Sequence, residues 1–306
     1  MSTSQTTVQD GQRPVAGVLW MVASGLCFVA VTGIVRYLGT DLPAAQGAFL
    51  RFAWGVVFLA PTLWTVMRAG IAPGLLPLVA GRGAMHTVAV ILWFYAMARI
   101  PVAEVTAIGY INPVCVTLGA VLFFGERLAR RRVVAVLVAI VGALIVLRPG
   151  LRELSDGHFA QLGAAVFFAG SYLFAKRLTQ LMDAGAVVAL MSITVMIGLL
   201  PFALAVWVPV SAAQMGWMAL VALFGTGGHY CMTRAFGAAP LSVTQPVTFL
   251  QLVWATLLGV VAFGERVDPF VIVGGAVIIG AVSYITWREA RIRRAQITPA
   301  INATKV

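Results

Sequence analysis

Ten apolar runs, each about as long as a membrane-crossing helix, occupy most of this chain and leave room only for short polar connections. They cover residues 15–37, 44–66, 75–98, 103–123, 130–147, 159–180, 185–208, 215–236, 241–262 and 269–288. A helix gains 1.5 Å per residue, so about 20 mostly apolar residues are needed to cross roughly 30 Å of hydrocarbon. The composition agrees with this demand. The chain is 61% hydrophobic and 10% charged, whereas a soluble domain carries about 25% charged residues. A water-soluble globular protein, a disordered chain and a disulfide scaffold are all excluded. The expected fold is an all-α polytopic membrane protein with ten transmembrane helices in contact with the lipid bilayer.

The net charge is +11 over 306 residues. In a soluble protein that excess points to nucleic acid. Here the basic residues form short clusters beside apolar runs, where they report orientation and meet anionic headgroups, so no nucleic-acid partner is expected. Ten spans place both termini on one side. With that side cytoplasmic, fourteen of the 21 Lys and Arg fall inside, five outside and two, Arg51 and Arg82, within spans. This bias predicts cytoplasmic termini, and the expected location is a bacterial-type inner membrane. The first apolar run is too long for the h-region of a cleavable signal and reads as a retained span. Cys27, Cys115 and Cys231 each lie inside an apolar run and form no CxxC pair. They read as small buried hydrophobes, with no metal and no cofactor expected.

The chain repeats itself. Phe124-Gly125-Glu126-Arg127 recurs as Phe263-Gly264-Glu265-Arg266, an offset of 139 that also carries Pro101 onto Pro240 and Asn112 onto Gln251. An offset of 140 carries Pro61 onto Pro201, Phe28 onto Phe168 and Arg36 onto Lys176. Two halves follow, residues 15–147 and 159–288, joined by a loop at 148–158 and flanked by a tail at 1–14 and a basic tail at 289–306. Each half holds five spans. Five is odd, so the second half threads the membrane inverted. Two similar halves of opposite sense can enclose a central cavity and open it alternately to each side.

Ten spans, two five-helix halves and a Gly-Glu-Arg after the fourth and ninth spans resemble the drug/metabolite transporter superfamily in its EamA-type branch. Within that branch the Trp-, His- and Tyr-rich spans look most like the YddG-type exporters of aromatic amino acids. The resemblance implies export of aromatic amino acids and related small metabolites or drugs such as methyl viologen.

Polar side chains inside a bilayer are costly and tend to face a protein interior or a water-filled cavity. His86, near the middle of the third span, is a candidate carboxylate donor or proton relay. The eighth span carries Gly225, Gly227 and Gly228 before His229 and Tyr230. Three glycines weaken a helix and permit close approach or local opening, so they are candidate hinges. In the fourth span, Pro113 frees the Gly109 carbonyl, beside Tyr110 and Asn112. Gln245, Pro246 and Gln251 repeat the idea in the ninth span, with Trp254 three residues beyond Gln251. Tyr172 in the sixth span and Trp20 and Trp93 complete the candidate substrate contacts, with Pro113 and Pro246 as further hinges. Arg51 and Arg82 lie about seven residues inside their spans and read as snorkelling toward the headgroups more than as carboxylate clamps. Glu126 and Glu265 can pair with the Arg that follows or cap a neighbouring helix, and the family resemblance implies a structural signature there, not a substrate ligand. Small-residue stripes at Ala135, Ala139 and Ala143, and at Ala276 and Gly280, read as helix supports or contacts of a homodimer.

A Walker A sequence is missing, so ATP hydrolysis is not expected to drive the protein. No acid is read as lying mid-span, Glu104 being nearest, which leaves His86 and His229 as titratable groups and makes facilitated diffusion a serious option. An aromatic and mostly uncharged cavity suits a moderately apolar solute. The alternative cargoes are a nucleoside, a small polar amino acid or a lipid precursor. A membrane-embedded enzyme would need clustered catalytic groups such as HExxH. The sequence holds none, so a non-enzyme is expected.

Overall fold

A computed structural model describes residues 14–112, 114–116, 118–119, 130–151, 153–178, 181–238, 247 and 250–297. The regular elements among them are helices: α1 (Pro14–Leu38), α2 (Ala44–Phe58), α3 (Ala60–Ala69), a short 3-10 turn (Pro73–Leu75), α4 (Leu76–Met97), α5 (Val102–Gly109), α6 (Arg130–Leu147), α7 (Asp156–Leu178), α8 (Ala184–Ala205), α9 (Ala212–Ala238), α10 (Leu250–Phe263) and α11 (Pro269–Ile297). Four of them are long and apolar enough to cross a membrane alone, and the pair α2 and α3 makes a fifth if it is one span. Shorter apolar helices fill most of the remaining expected positions.

The second expected span departs from a straight helix. α2 and α3 meet at a bend of 72°. Pro61 has no N–H to offer the carbonyl of Val57, and its ring crowds the preceding turn, so the ladder breaks at Leu59. Its repeat counterpart Pro201 sits inside an unbroken α8. The fourth span is also interrupted. α5 ends at Gly109, and the N–H groups of Tyr110 and Ile111 turn back to Ala107 and Ile108, three residues earlier. The break falls just ahead of Pro113, which itself lies outside the described residues, as do Gln245, Pro246 and the first Phe-Gly-Glu-Arg tetrad.

Packing pairs the helices across the two halves. α4 lies along α7, and α1 along α9. α6 lies along α11, where Gly142 and Gly274 meet: a methyl at Gly142 would fall 2.8 Å from the Gly274 carbonyl oxygen. Ala135, Ala139 and Ala143 are buried here against Ile278 and Ala281, so the first small-residue stripe is occupied within the chain. Ala276 and Gly280 stay exposed.

One end of the bundle is tightly sealed. Its core draws Val35, Met97, Leu147, Leu199 and Met218 from α1, α4, α6, α8 and α9, and Ile100 from the connection after α4. Polar groups tie the same end together. Glu265, in the second tetrad, accepts from the Val102 N–H at 3.1 Å and stands 3.3 Å from Arg36 Nε. It therefore caps the first turn of α5. Gly264 makes this reach possible by turning through φ +64° just after α10, a conformation that side chains with a Cβ resist. Arg36 also donates to the Ala98 carbonyl at 3.2 Å, and Arg148 pairs with Asp268. Gln46 both donates to and accepts from the backbone of Val208, at 2.8 and 2.9 Å. His158 and Glu104 meet at 2.7 Å, both largely buried.

Candidate functional site

A cavity of about 270 Å³ opens between α1, α2, α4, α5, α7, α9 and α10. The helices reach it through their middles, where the apolar spans leave their polar side chains no water except inside the bundle. Its walls carry Phe28, Trp93, Phe168, Tyr110 and Tyr172, with Thr32, Thr106 and Ser24 between them.

Most of the expected contacts converge here. His86, His229, Tyr110, Asn112, Tyr172, Trp93 and Gln251 all line the cavity. His86 is buried, with Nδ1 3.1 Å from Ser171 Oγ, and its ring meets Phe52 and Phe168 edge-on. His229 meets Phe28 in the same way, at 5.1 Å and 82°. Trp93 stands edge-on to Phe168 at 5.9 Å, and Tyr172 stacks on Phe168 at 6.3 Å. The Asn112 amide nitrogen donates to the Ala165 carbonyl at 3.0 Å. Tyr110 is hydrogen-bonded to the backbone of Leu252.

Three expected contacts lie elsewhere. Trp20 pairs edge-on with Tyr230, which is 55% exposed and accepts from Arg234 at 3.1 Å. Trp254 packs with Val29, Val102 and Ala255, and its indole nitrogen is buried without a partner. The glycines of the eighth span do not open α9, which runs unbroken through Gly225, Gly227 and Gly228. They bring helices close instead. The Gly228 carbonyl accepts from Ser24 Oγ at 2.9 Å, and a Cβ there would meet Cys27 and Phe28 within 3.3 Å.

Two polar groups change the character of the cavity. Arg51 does not snorkel: it is 6% exposed and lines the central space. Its guanidinium rests over Gly225, where a Cβ would fall 2.6 Å from Nη2. Gln161, not singled out from the sequence, lines the same space and donates through Nε2 to the Val105 carbonyl at 3.0 Å. The expectation of a mostly uncharged cavity is thereby corrected. Arg51 was legible as a cation within a span; only the position of α2 against α9 decides that it turns inward. Arg82 is equally buried but lies outside the cavity and donates to the Val187 carbonyl at 3.1 Å.

The lining follows the sequence repeat. At an offset of 140, Gly25 pairs with Ala165, Phe28 with Phe168 and Thr32 with Tyr172; at 139, Val90 pairs with His229, Trp93 with Met232 and Asn112 with Gln251. All twelve residues line the cavity. A second cavity of about 530 Å³ lies along α2, α3, α8 and α9. Phe58, Leu59, Thr62 and Tyr230 line it, and His229 lines both spaces. Among the described residues no group of three or more His, Cys, Asp or Glu is arranged to hold a metal.

A family model described as an EamA-like transporter family matches residues 15–148 and again 156–287. A riboflavin transporter of Vibrio cholerae is 27% identical over 295 residues, covering 92% of this chain and 97% of that protein. A pseudopaline exporter of Pseudomonas aeruginosa is 27% identical over 275 residues, covering 87% and 94%. An S-adenosylmethionine uptake transporter of Rickettsia prowazekii is 23% identical over 285 residues, covering 90% and 94%. A crystal structure superposes with a TM-score of 0.56 at 19% identity, over 91% of this chain and 96% of that one; at that identity it speaks for the fold alone.

Proposed function

Since the chain belongs to the EamA-like transporter family, a branch of the drug/metabolite transporter superfamily, we propose that it exports aromatic amino acids and related ring-bearing metabolites by alternating access, without ATP hydrolysis. The observation that carries this reading is the ring-lined central cavity. Phe28, Phe168 and Trp93 offer edges and faces on which an aromatic side chain packs. About 270 Å³ is near the lower end of the roughly 300–1,000 Å³ common for small-molecule sites, which favours a cargo of amino-acid size.

The topology proposed with it has ten spans, two inverted five-helix halves, both termini cytoplasmic and an inner-membrane location. The two separate family matches support two halves. The paired lining residues support a site shared between them. The 14-to-5 bias of basic residues supports the orientation. On this topology the sealed end faces outward. A homodimer through the lipid-facing sides of α6 and α11 is proposed as the assembly, with exposed Val134, Leu137, Val141 and Val273 available for contact.

The second reading is a different solute, favoured by the names of the relatives, which carry riboflavin, pseudopaline and S-adenosylmethionine. Counterflow in proteoliposomes with labelled phenylalanine, tyrosine and tryptophan separates the two. Saturable exchange of the amino acids is expected. Exchange of riboflavin with none of phenylalanine, tyrosine or tryptophan would transfer the assignment to the second reading. Repeating the assay with an imposed pH gradient tells proton coupling from facilitated diffusion.

A further inference from the structure

Among the described residues the buried polar atoms without a hydrogen-bond partner include two that belong to cavity-lining residues, Arg51 Nε and Gln161 Oε1. The first is a donor on a cation and the second an acceptor. Buried polar groups are almost always satisfied, and a lone guanidinium inside a bilayer is among the most costly groups a span can hold. Among the described residues no carboxylate pairs with Arg51. Glu104 is held by His158, Glu265 by Arg36 and Asp268 by Arg148, while Asp183 accepts from the Ala186 N–H. The nearest ring, Phe52, lies 4.1 Å from the guanidinium carbon, and a ring face does not neutralise a charge. Gly225 adds a second sign of purpose, since any side chain there would displace the guanidinium.

The geometry points to a zwitterionic cargo, with its carboxylate on Arg51 and its ammonium on the Gln161 side-chain oxygen. This rests on the ring-bearing solute proposed above and names the head group that goes with the ring. A guanidinium presents parallel N–H donors that match a carboxylate. The Gln161 amide is held by its bond to Val105, and its Oε1 is buried with no partner of its own. The ring packs among Phe28, Trp93 and Phe168. Aromatic amines and the dicationic methyl viologen lack the anionic group and are disfavoured.

Calorimetric titration of the full chain in detergent tests this with three probes of one size: L-phenylalanine, L-phenylalaninamide and 3-phenylpropionate. Charge-assisted bonds set the expected scale, and phenylalanine should bind at least about tenfold tighter than either analogue. Arg51→Gln should erase the preference over the amide, and Gln161→Leu the preference over phenylpropionate. Gly225→Ala reads the same loss as Arg51→Gln by displacing the guanidinium, should the charge deletion fail to fold. Equal binding of all three probes to the native chain overturns the zwitterion and leaves the ring-bearing reading standing. Preferences that survive both substitutions overturn the assignment to Arg51 and Gln161. Absence of binding by any aromatic probe overturns both this inference and the reading beneath it. The titrations are run in chloride-free buffer and again with chloride. If chloride lets phenylalaninamide bind as tightly as phenylalanine, the anion on Arg51 comes from solution and the carboxylate assignment falls.

Discussion

The imidazole of His229 on α9 meets the ring of Phe28 on α1 edge-on, with centroids 5.1 Å apart and planes at 82°. A similar contact occurs in the other pair of helices, where His86 on α4 meets Phe168 on α7 at the same centroid distance; the repeat matches the two phenylalanines but sets His229 against Val90. Such pairs contribute about 0.5–1.5 kcal/mol beyond burial. Phe28→Ala and Phe168→Ala are each expected to weaken phenylalanine binding by about two- to tenfold, and by similar factors. Calorimetry on both variants checks this, and a loss confined to one of them would break the correspondence between the halves.

His86 is anchored by Ser171 on one side and by two rings on the others. His86→Ala is expected to abolish counterflow. Ser171→Ala removes one neutral hydrogen bond, about 0.5–1.5 kcal/mol, and should retain measurable exchange. Native exchange rates in His86→Ala would remove the imidazole from the transport path.

Ligand-dependent fluorescence should come from Trp93. This indole lines the cavity, while Trp254 lies outside it among Val29, Val102 and Ala255. Saturating phenylalanine is expected to change the emission of the native protein and of Trp254→Phe, but not of Trp93→Phe. A signal lost only in Trp254→Phe would place the cargo near the end of α10 instead.

Glu265 joins α5, α10 and the Arg36 side chain at the sealed end. Glu265→Ala takes away the cap of α5 and the partner of Arg36, and helix caps contribute about 0.5–2 kcal/mol. Thermal unfolding in detergent should show a lowered midpoint. Exchange kinetics should shift as well if this end is a moving gate; an altered midpoint with unchanged kinetics would make the contact purely structural.

Gly142 and Gly274 set the closest approach of α6 and α11. A methyl at Gly274 would fall 2.5 Å from the Gly142 carbonyl oxygen. Gly274→Ala must therefore push the helices apart, at a cost of about 1–3 kcal/mol. Gly280→Ala, with nothing within 4 Å of the added carbon, should leave the unfolding midpoint unchanged.

The periodic content of the chain carried most of the fold. Apolar runs placed α1, α4, α6 and α8 to within about three residues, because span length is set by bilayer thickness and not by tertiary context. The repeat offset found Phe28, Phe168, Asn112 and Gln251, all of which line the cavity. Which way a side chain turns was another matter. Arg51 and Arg82 sit at similar depths with the same chemistry, yet one enters the cavity and the other binds a backbone carbonyl on α8. Helix rotation decides between them, and rotation is fixed by neighbours far apart in the chain. Pro61 and Pro201 teach the same lesson: one residue type, at matched positions, bends α2 from α3 but leaves α8 continuous. Gln161 is not legible in the sequence, because an isolated glutamine carries no pattern until Val105 fixes it.

The elbow at Leu59 shortens one wall of the molecule. α2 has 15 residues, a reach of about 22 Å at 1.5 Å each, against roughly 30 Å of hydrocarbon. The remaining depth falls to α3, which leaves the line of α2 at 72°, and the 530 Å³ space lies along α3 and α8. His229 lines this space and the central cavity alike, so one imidazole stands between the two.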